Sequence, residues 1–193
     1  MRRIALVCGL IISVAVLCQV ATLRAQQAST EKAAAPAAMQ EPKPSPEMDR
    51  MKFLVGTWDL EGEYLKTPLT GEGGKQTGWY KAQVGPGGFS IIADFEADSP
   101  IGKEIGHQLF AWDPNTGTYT TVTIGNFPGL LIGKAHWEGE NLVTEVDFKM
   151  GDAAIHNRAV YSHTTNKNIQ IEESYQMGDA PMQLMWKATA TRK

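Results

Sequence analysis

From Lys52 onward the chain alternates apolar and polar side chains in short runs, and the runs are broken at close intervals by Gly, Pro, Asn and Asp. Phe89, Ile91, Ala93, Phe95 and Ala97 share one face of such a run, with Ser90, Asp94 and Glu96 on the other. Thr144, Val146, Phe148 and Met150 oppose Glu145, Asp147 and Lys149 in the same way. Met182, Leu184, Trp186, Ala188 and Ala190 oppose Gln183, Lys187, Thr189 and Thr191. A period of two is that of an extended strand with one dry and one wet face. The first run, FLVGTWDLEGEY, places Leu54, Trp58, Leu60 and Tyr64 on one side with Gly56 and Gly62, which permit close approach or bending there. Nine turn signals follow: TPLTGEGGK, GPGG, DSPIGK, DPNTG, NFPG, EGEN, MGDA, TTNKN and MGDAP. They predict ten strands. No segment after Lys52 has the length and period of a helix that would cover a sheet, so the dry faces must cover one another. The fold class is therefore all-β. A single antiparallel up-and-down barrel of about ten strands does this while removing exposed edges; a two-sheet sandwich is the alternative. Trp58 is expected to plug the closed end.

Ahead of the strands, Ser45-Pro46-Glu47 reads as the start of a short helical turn, with Ser45 as N-cap and Pro46 at the first helical position. The preceding stretch QQASTEKAAAPAAMQEPKPSP has almost no bulky apolar side chain and reads as a flexible tether. Earlier still, Arg2 and Arg3 precede an apolar run from Ile4 to Leu17, and Leu23-Arg24-Ala25 offers a cleavage site. This is the pattern of a secretory signal peptide. An uncleaved membrane anchor is the alternative, since the run approaches the lower limit for a spanning helix. The expected organisation is a signal peptide over 1–25, a disordered linker over 26–45 and a barrel domain over 46–193, exported to the periplasm or beyond the cell.

Cys8 and Cys18 both fall in the signal segment, so the exported chain has no thiol for a disulfide, a nucleophile or a soft metal site. Loss of residues 1–25 removes three arginines and no acid, leaving 15 basic against 21 acidic residues, a net charge of −6. That balance argues against a nucleic-acid partner, which needs a basic patch. There is no G-x-S-x-G, no H-E-x-x-H and no phosphate-binding glycine loop. His107, His136, His156 and His163 lie on separate strands or turn edges without metal-ligand spacing, so neither a metal nor a cofactor is expected. Asp113-Pro114-Asn115-Thr116-Gly117 lacks the spaced carboxylates of a calcium loop and reads as a turn. Trp79, Trp112 and Trp137 read as core or rim residues.

The candidate site rests on polar residues that alternation turns inward. In NIQIEESYQM, Glu173 falls among Ile169, Ile171, Tyr175 and Met177 on the dry face. A four-residue loop before it, Thr164 to Lys167, would pair Arg158 with Glu173 and His156 with Tyr175, bringing all four to the inner wall; a two-residue loop slides the pairs by two and keeps the same set inside, and an odd-length loop would put Arg158 outside. A structural ion pair, an anchor for a ligand and an acid–base pair of Glu173 with His156 are the three uses of such a cluster. With Trp58 and Trp186, these four residues form the expected ligand-binding set, and no catalytic residue is assigned.

A short helical turn followed by a strand carrying Gly56-Thr57-Trp58 is similar to the opening of the calycin barrels, which include lipocalins and fatty-acid-binding proteins. The segments PEMDRMKFLVGTWDLEGEY, HQLFAWDPNTGTYTTVTIGNFPG and WKATATRK resemble more closely an uncharacterised bacterial family, domain of unknown function 1579. The resemblance covers the domain from Pro46 and implies a calycin-like barrel, without an established activity. It departs from the related nitrobindin-like haem barrels, which use a histidine near the C-terminus, because no histidine follows His163. The functional expectation is a binding module for a small apolar or amphipathic ligand. A lyase or isomerase using the same cavity and a structural envelope domain with a filled core are the alternatives.

Overall fold

The computed structural model describes residues 41–193; the segment read as a signal peptide, its expected cleavage site and most of the expected linker lie outside the described residues. Ser45 starts the first element. Its hydroxyl accepts from the Glu47 amide at 3.3 Å and its carbonyl from the Met48 amide at 3.0 Å, which satisfies two donors at the helix start. Helix α1 (Glu47–Arg50) continues into a 3-10 turn over Met51–Leu54. Met48, Met51 and Leu54 bury their side chains, so this short helical segment is held by tertiary packing and not by its own propensity.

Ten strands follow: β1 (Gly56–Tyr64), β2 (Gly74–Val84), β3 (Ser90–Ser99), β4 (Gly102–Asp113), β5 (Thr118–Gly125), β6 (Leu131–Glu138), β7 (Asn141–Met150), β8 (Ala153–Thr165), β9 (Asn168–Met177) and β10 (Gln183–Arg192). Each pairs antiparallel with the next, and β1 pairs with β10 from Trp58↔Arg192 to Tyr64↔Trp186, closing the barrel. Closure leaves no edge strand to template aggregation. The up-and-down barrel is thus the observed architecture, and the sandwich is excluded.

The helical turn seals one end. Met51, Leu54, Trp58, Phe110, Tyr119 and Leu142 are all within 1% of complete burial and belong to one apolar cluster. Polar atoms within the plug are paired. Trp58 Nε1 donates to the Leu54 carbonyl at 2.9 Å, and the Tyr119 hydroxyl donates to the Glu47 carbonyl at 2.8 Å while accepting from Trp137 Nε1 at 3.2 Å. Arg192, at the end of β10, stacks its guanidinium 4.1 Å from the Trp58 ring centroid and donates to the carbonyls of Val55, Phe53 and Asn166. Gly56 takes φ 144°, and a side chain there would collide with that guanidinium. The last strand therefore locks the first.

Alternation predicts most facings correctly. Ile91, Ala93 and Ala97 of β3 are buried, as are Thr144 of β7 and Trp186, Ala188 and Ala190 of β10. Three expected inward residues are exposed: Phe89 at 41% precedes its strand, and Met150 at 54% and Met182 at 41% lie at the open end, where no partner face covers them. Leu184 also leaves the dry face. A bulge between Leu184 and Trp186 sets Gln183 opposite inward Tyr175 and Leu184 opposite Ser174. An extra residue on one strand reverses the facing of everything beyond it.

Candidate functional site

Above the plug the barrel is hollow. A cavity of about 310 Å³ runs from Leu54 and Trp58 at its floor to Phe127, Leu131 and Phe148 near the open end. The volume exists because the middle layer uses short inward side chains, among them Thr121, Thr144, Ala159 and Ala190, where the plug uses large ones. Gly62 on β1 adds width in one direction. A side chain there would come within 2.8 Å of Trp186 Nε1, so its absence lets the indole lie across β1.

One wall is polar. Trp186 Nε1 donates to Gln76 Oε1 at 2.8 Å, and Gln76 Nε2 donates to Glu104 Oε1 at 3.1 Å. The Tyr64 hydroxyl donates to the same carboxylate oxygen at 3.1 Å. Across the cavity, Asn157 Nδ2 donates to Glu173 Oε1 at 2.6 Å. The Tyr80 hydroxyl donates to Gln108 Oε1 at 3.4 Å, and Tyr161 and Thr144 line the same cavity. Burial, followed by the amide of Asn157 and the charge of Glu104, leaves the Glu173 carboxyl above the usual carboxylate range, since the amide lowers it less than desolvation raises it. Burial first, then the charges of Glu104 and Glu173, pushes the Tyr64 hydroxyl far up. Tyr161 is pushed up to about 12 by burial and then by Glu173, and Tyr80 is raised further by burial. Among the described residues that line the cavity there is no Lys, Arg or His.

The expected site residues divide. Trp58, Trp186 and Glu173 line the cavity. Tyr175 shares their inward face and is buried, with its hydroxyl donating to Gln183 Oε1 at 3.1 Å, but it does not line the cavity. His156 and Arg158 face outward, which corrects their expected place on the inner wall. Asn166 and Lys167 form a two-residue loop between Thr165 and Asn168, so the loop is even as expected. A bulge between His163 and Thr165 then shifts the register, pairing Ala159 with Glu173, Asn157 with Tyr175 and Arg158 with Ser174. Arg158 instead donates to Glu138 at 2.7 Å on the outer surface, and His156 pairs with Asp147 at 2.8 Å. The acid–base pair of Glu173 and His156 is thereby excluded, because the two side chains lie on opposite faces of the sheet. The remaining described histidine side chains, His107 and His136, also sit outside, against Asp94 and Glu138. No group of three metal-ligating side chains occurs among the described residues.

Glu104, Gln76, Asn157 and Tyr161 complete the site and were not among the expected residues. A signal for Glu104 and Gln108 was present: in KEIGHQLFAW they share a face with Phe110 and Trp112. Gln76 likewise shares a face with Tyr80 and Ala82. Asn157 and Tyr161 had none, because AIHNRAVYSH does not alternate cleanly. Phe127 is brought to the mouth by Asn126, whose amide nitrogen donates to the Lys103 carbonyl at 2.6 Å and whose Oδ1 accepts from the Ile105 amide at 3.0 Å.

No family model matches the chain, and no curated protein matches it. Solved structures do. Rv2717c from M. tuberculosis is 14% identical with a TM-score of 0.53, over 78% of this chain and 99% of that one. The S-type phycobiliprotein lyase CPES from Guillardia theta is 12% identical with a TM-score of 0.49, over 76% and 90%. EF1p2_mFAP2b bound to DFHBI is 12% identical with a TM-score of 0.43, over 76% and 98%. At these identities the likeness concerns the fold, and Rv2717c carries it.

Proposed function

We propose that this protein is a non-catalytic binding module that encloses a small, largely apolar molecule inside its barrel. The observation that carries the reading is the cavity: about 310 Å³, closed at one end by the Trp58 plug and lined by aromatic and aliphatic side chains with a few convergent polar groups. Small-molecule sites share this size, about 300–1,000 Å³, and this lining. A structural envelope domain has no need of the hollow, since larger side chains at inward positions such as Ala159 would reduce it. The lyase or isomerase reading loses its base with His156 on the outer face. The sequence resemblance supports a place among calycin-like barrels in domain of unknown function 1579, and the Arg2-Arg3 and Ile4–Leu17 pattern supports export with cleavage after Ala25.

The test is fluorescence titration with N-phenyl-1-naphthylamine, a neutral apolar probe, against the wild type and Ala159→Trp, which fills the cavity from β8. Saturable binding by the wild type, weakened at least tenfold in a folded Ala159→Trp, is the expected result. A wild type that takes up no probe, or a variant that binds as well as wild type, overturns the proposal.

A further inference from the structure

The charge of the cavity restricts what it can hold. Two carboxyls, Glu104 and Glu173, front on it, and among the described residues its lining has no cationic side chain to answer them. Each acid is only half used by the protein. Glu104 receives both its hydrogen bonds, from Tyr64 and Gln76, on Oε1. Glu173 receives one, from Asn157, also on Oε1. Among the described residues neither Oε2 has a hydrogen-bond partner. Two such oxygens in one chamber are costly, because a buried charge without a counter-charge is poorly solvated and like charges repel. Arg158 would have neutralised them from the inner wall, but the β8 bulge carries it outside.

We infer that the cavity selects an organic cation: its ligand is a small aromatic or aliphatic amine or amidine whose charged nitrogen sits between Glu104 and Glu173, and carboxylates and phosphates are refused. The inference rests on the proposed binding function and names the class of its ligand. A cationic nitrogen on either unused oxygen would form a charge-assisted hydrogen bond, and the acid on the opposite wall would add attraction at longer range. The rings around it favour the same charge. Tyr64 and Trp186 lie tilted with centroids 6.2 Å apart on the acidic side, and aromatic faces attract cations. The apolar remainder of the ligand would extend toward Leu60, Ile171 and Phe95.

Three probes with one ring system separate the possibilities: 2-naphthylmethylamine, a cation at neutral pH, 2-naphthylmethanol, neutral, and 2-naphthoate, an anion. Calorimetric titration of the purified protein at pH 7.5 should show the amine binding about tenfold tighter than the alcohol, with the carboxylate weakest. Glu173→Gln and Glu104→Gln should each erase most of the preference for the amine over the alcohol. A measurement that needs no variant uses pH. Raising it from 5 to 8 should tighten the amine and leave the alcohol unchanged. Of the titratable groups that face Glu173, Tyr64 on β1 and Tyr161 on β8 stay neutral throughout because burial raises both, and Glu104 on β4 is the other acid facing it, so the change of charge that the titration follows is that of Glu173, whose carboxyl burial raises. If the alcohol binds as well as the amine, if the carboxylate binds best, or if both glutamine variants keep the preference, charge selection is wrong although the cavity still binds. If no probe of the three binds, the binding function falls with it.

Discussion

The closed and open halves of this barrel obey the same alternation and use it to opposite ends. At the closed end, inward positions carry Trp58, Phe110, Tyr119 and Leu142 together with Met51 and Leu54 of the helical turn, all essentially without solvent exposure. Above them the inward positions carry Thr121, Thr144, Ala159, Gln76, Glu104 and Glu173, and the centre is empty. The comparison shows a division of labour. Stability is concentrated where side chains are large and polar atoms are paired, which leaves the upper half free to hold two acids around a hollow.

The strongest way to break the comparison is at the plug. Trp58→Ala removes a side chain 1% exposed from a sealed layer and should cost about 3–5 kcal/mol, read from denaturant midpoints. A loss below about 1 kcal/mol would mean that the closed end is not the stability centre. Arg192→Met should follow at about 2 kcal/mol, since the stack on Trp58 and the bonds to three backbone carbonyls go together.

In the open half the sign should reverse. The folded state raises the Glu173 carboxyl above its ordinary value, so the native protein holds a proton that the unfolded chain releases. Its contribution to stability is then fully present below the ordinary glutamate value and is lost as pH rises through the raised folded one. Glu173→Gln removes that loss. Its thermal midpoint should exceed wild type at pH 8 and approach it at pH 4, as calorimetry at the two pH values would record. A variant less stable than wild type at pH 8 would show that the acid is a structural partner of Asn157. The smallest effect belongs to the outer face. Arg158→Ala, which breaks an exposed pair with Glu138, should leave both the melting midpoint and amine affinity at wild-type values. A marked drop in amine affinity would put Arg158 back at the site.

These contrasts were unevenly legible in the amino-acid order. The plug was visible because Trp58 stands in a run whose alternation is clean and whose neighbours, Gly56 and Gly62, make room for other chains. Glu104 was visible in the same sense, on a face with Phe110 and Trp112, though a single acid among apolar residues does not announce a cavity. The inner wall of β8 was not visible. Its residues read almost equally well on either face, and the side that wins is decided by one extra residue between His163 and Thr165.

Composition and periodicity by themselves determined an all-β chain of ten strands, a short capped turn before them and a tryptophan at the sealed end, because these follow from which side chains avoid water within a few residues of one another. Only the tertiary structure decided the chemistry of the interior. A bulge is a local backbone event that side-chain pattern does not encode, and it exchanged Arg158 for Asn157 and Ala159 on the wall. The polar wall is likewise assembled across the closure, with Gln76 and Trp186 meeting 110 residues apart in the chain. Contacts of that range are set by how the barrel shuts, so the cation-free lining around Glu104 and Glu173 among the described residues emerged only when all ten strands were in place.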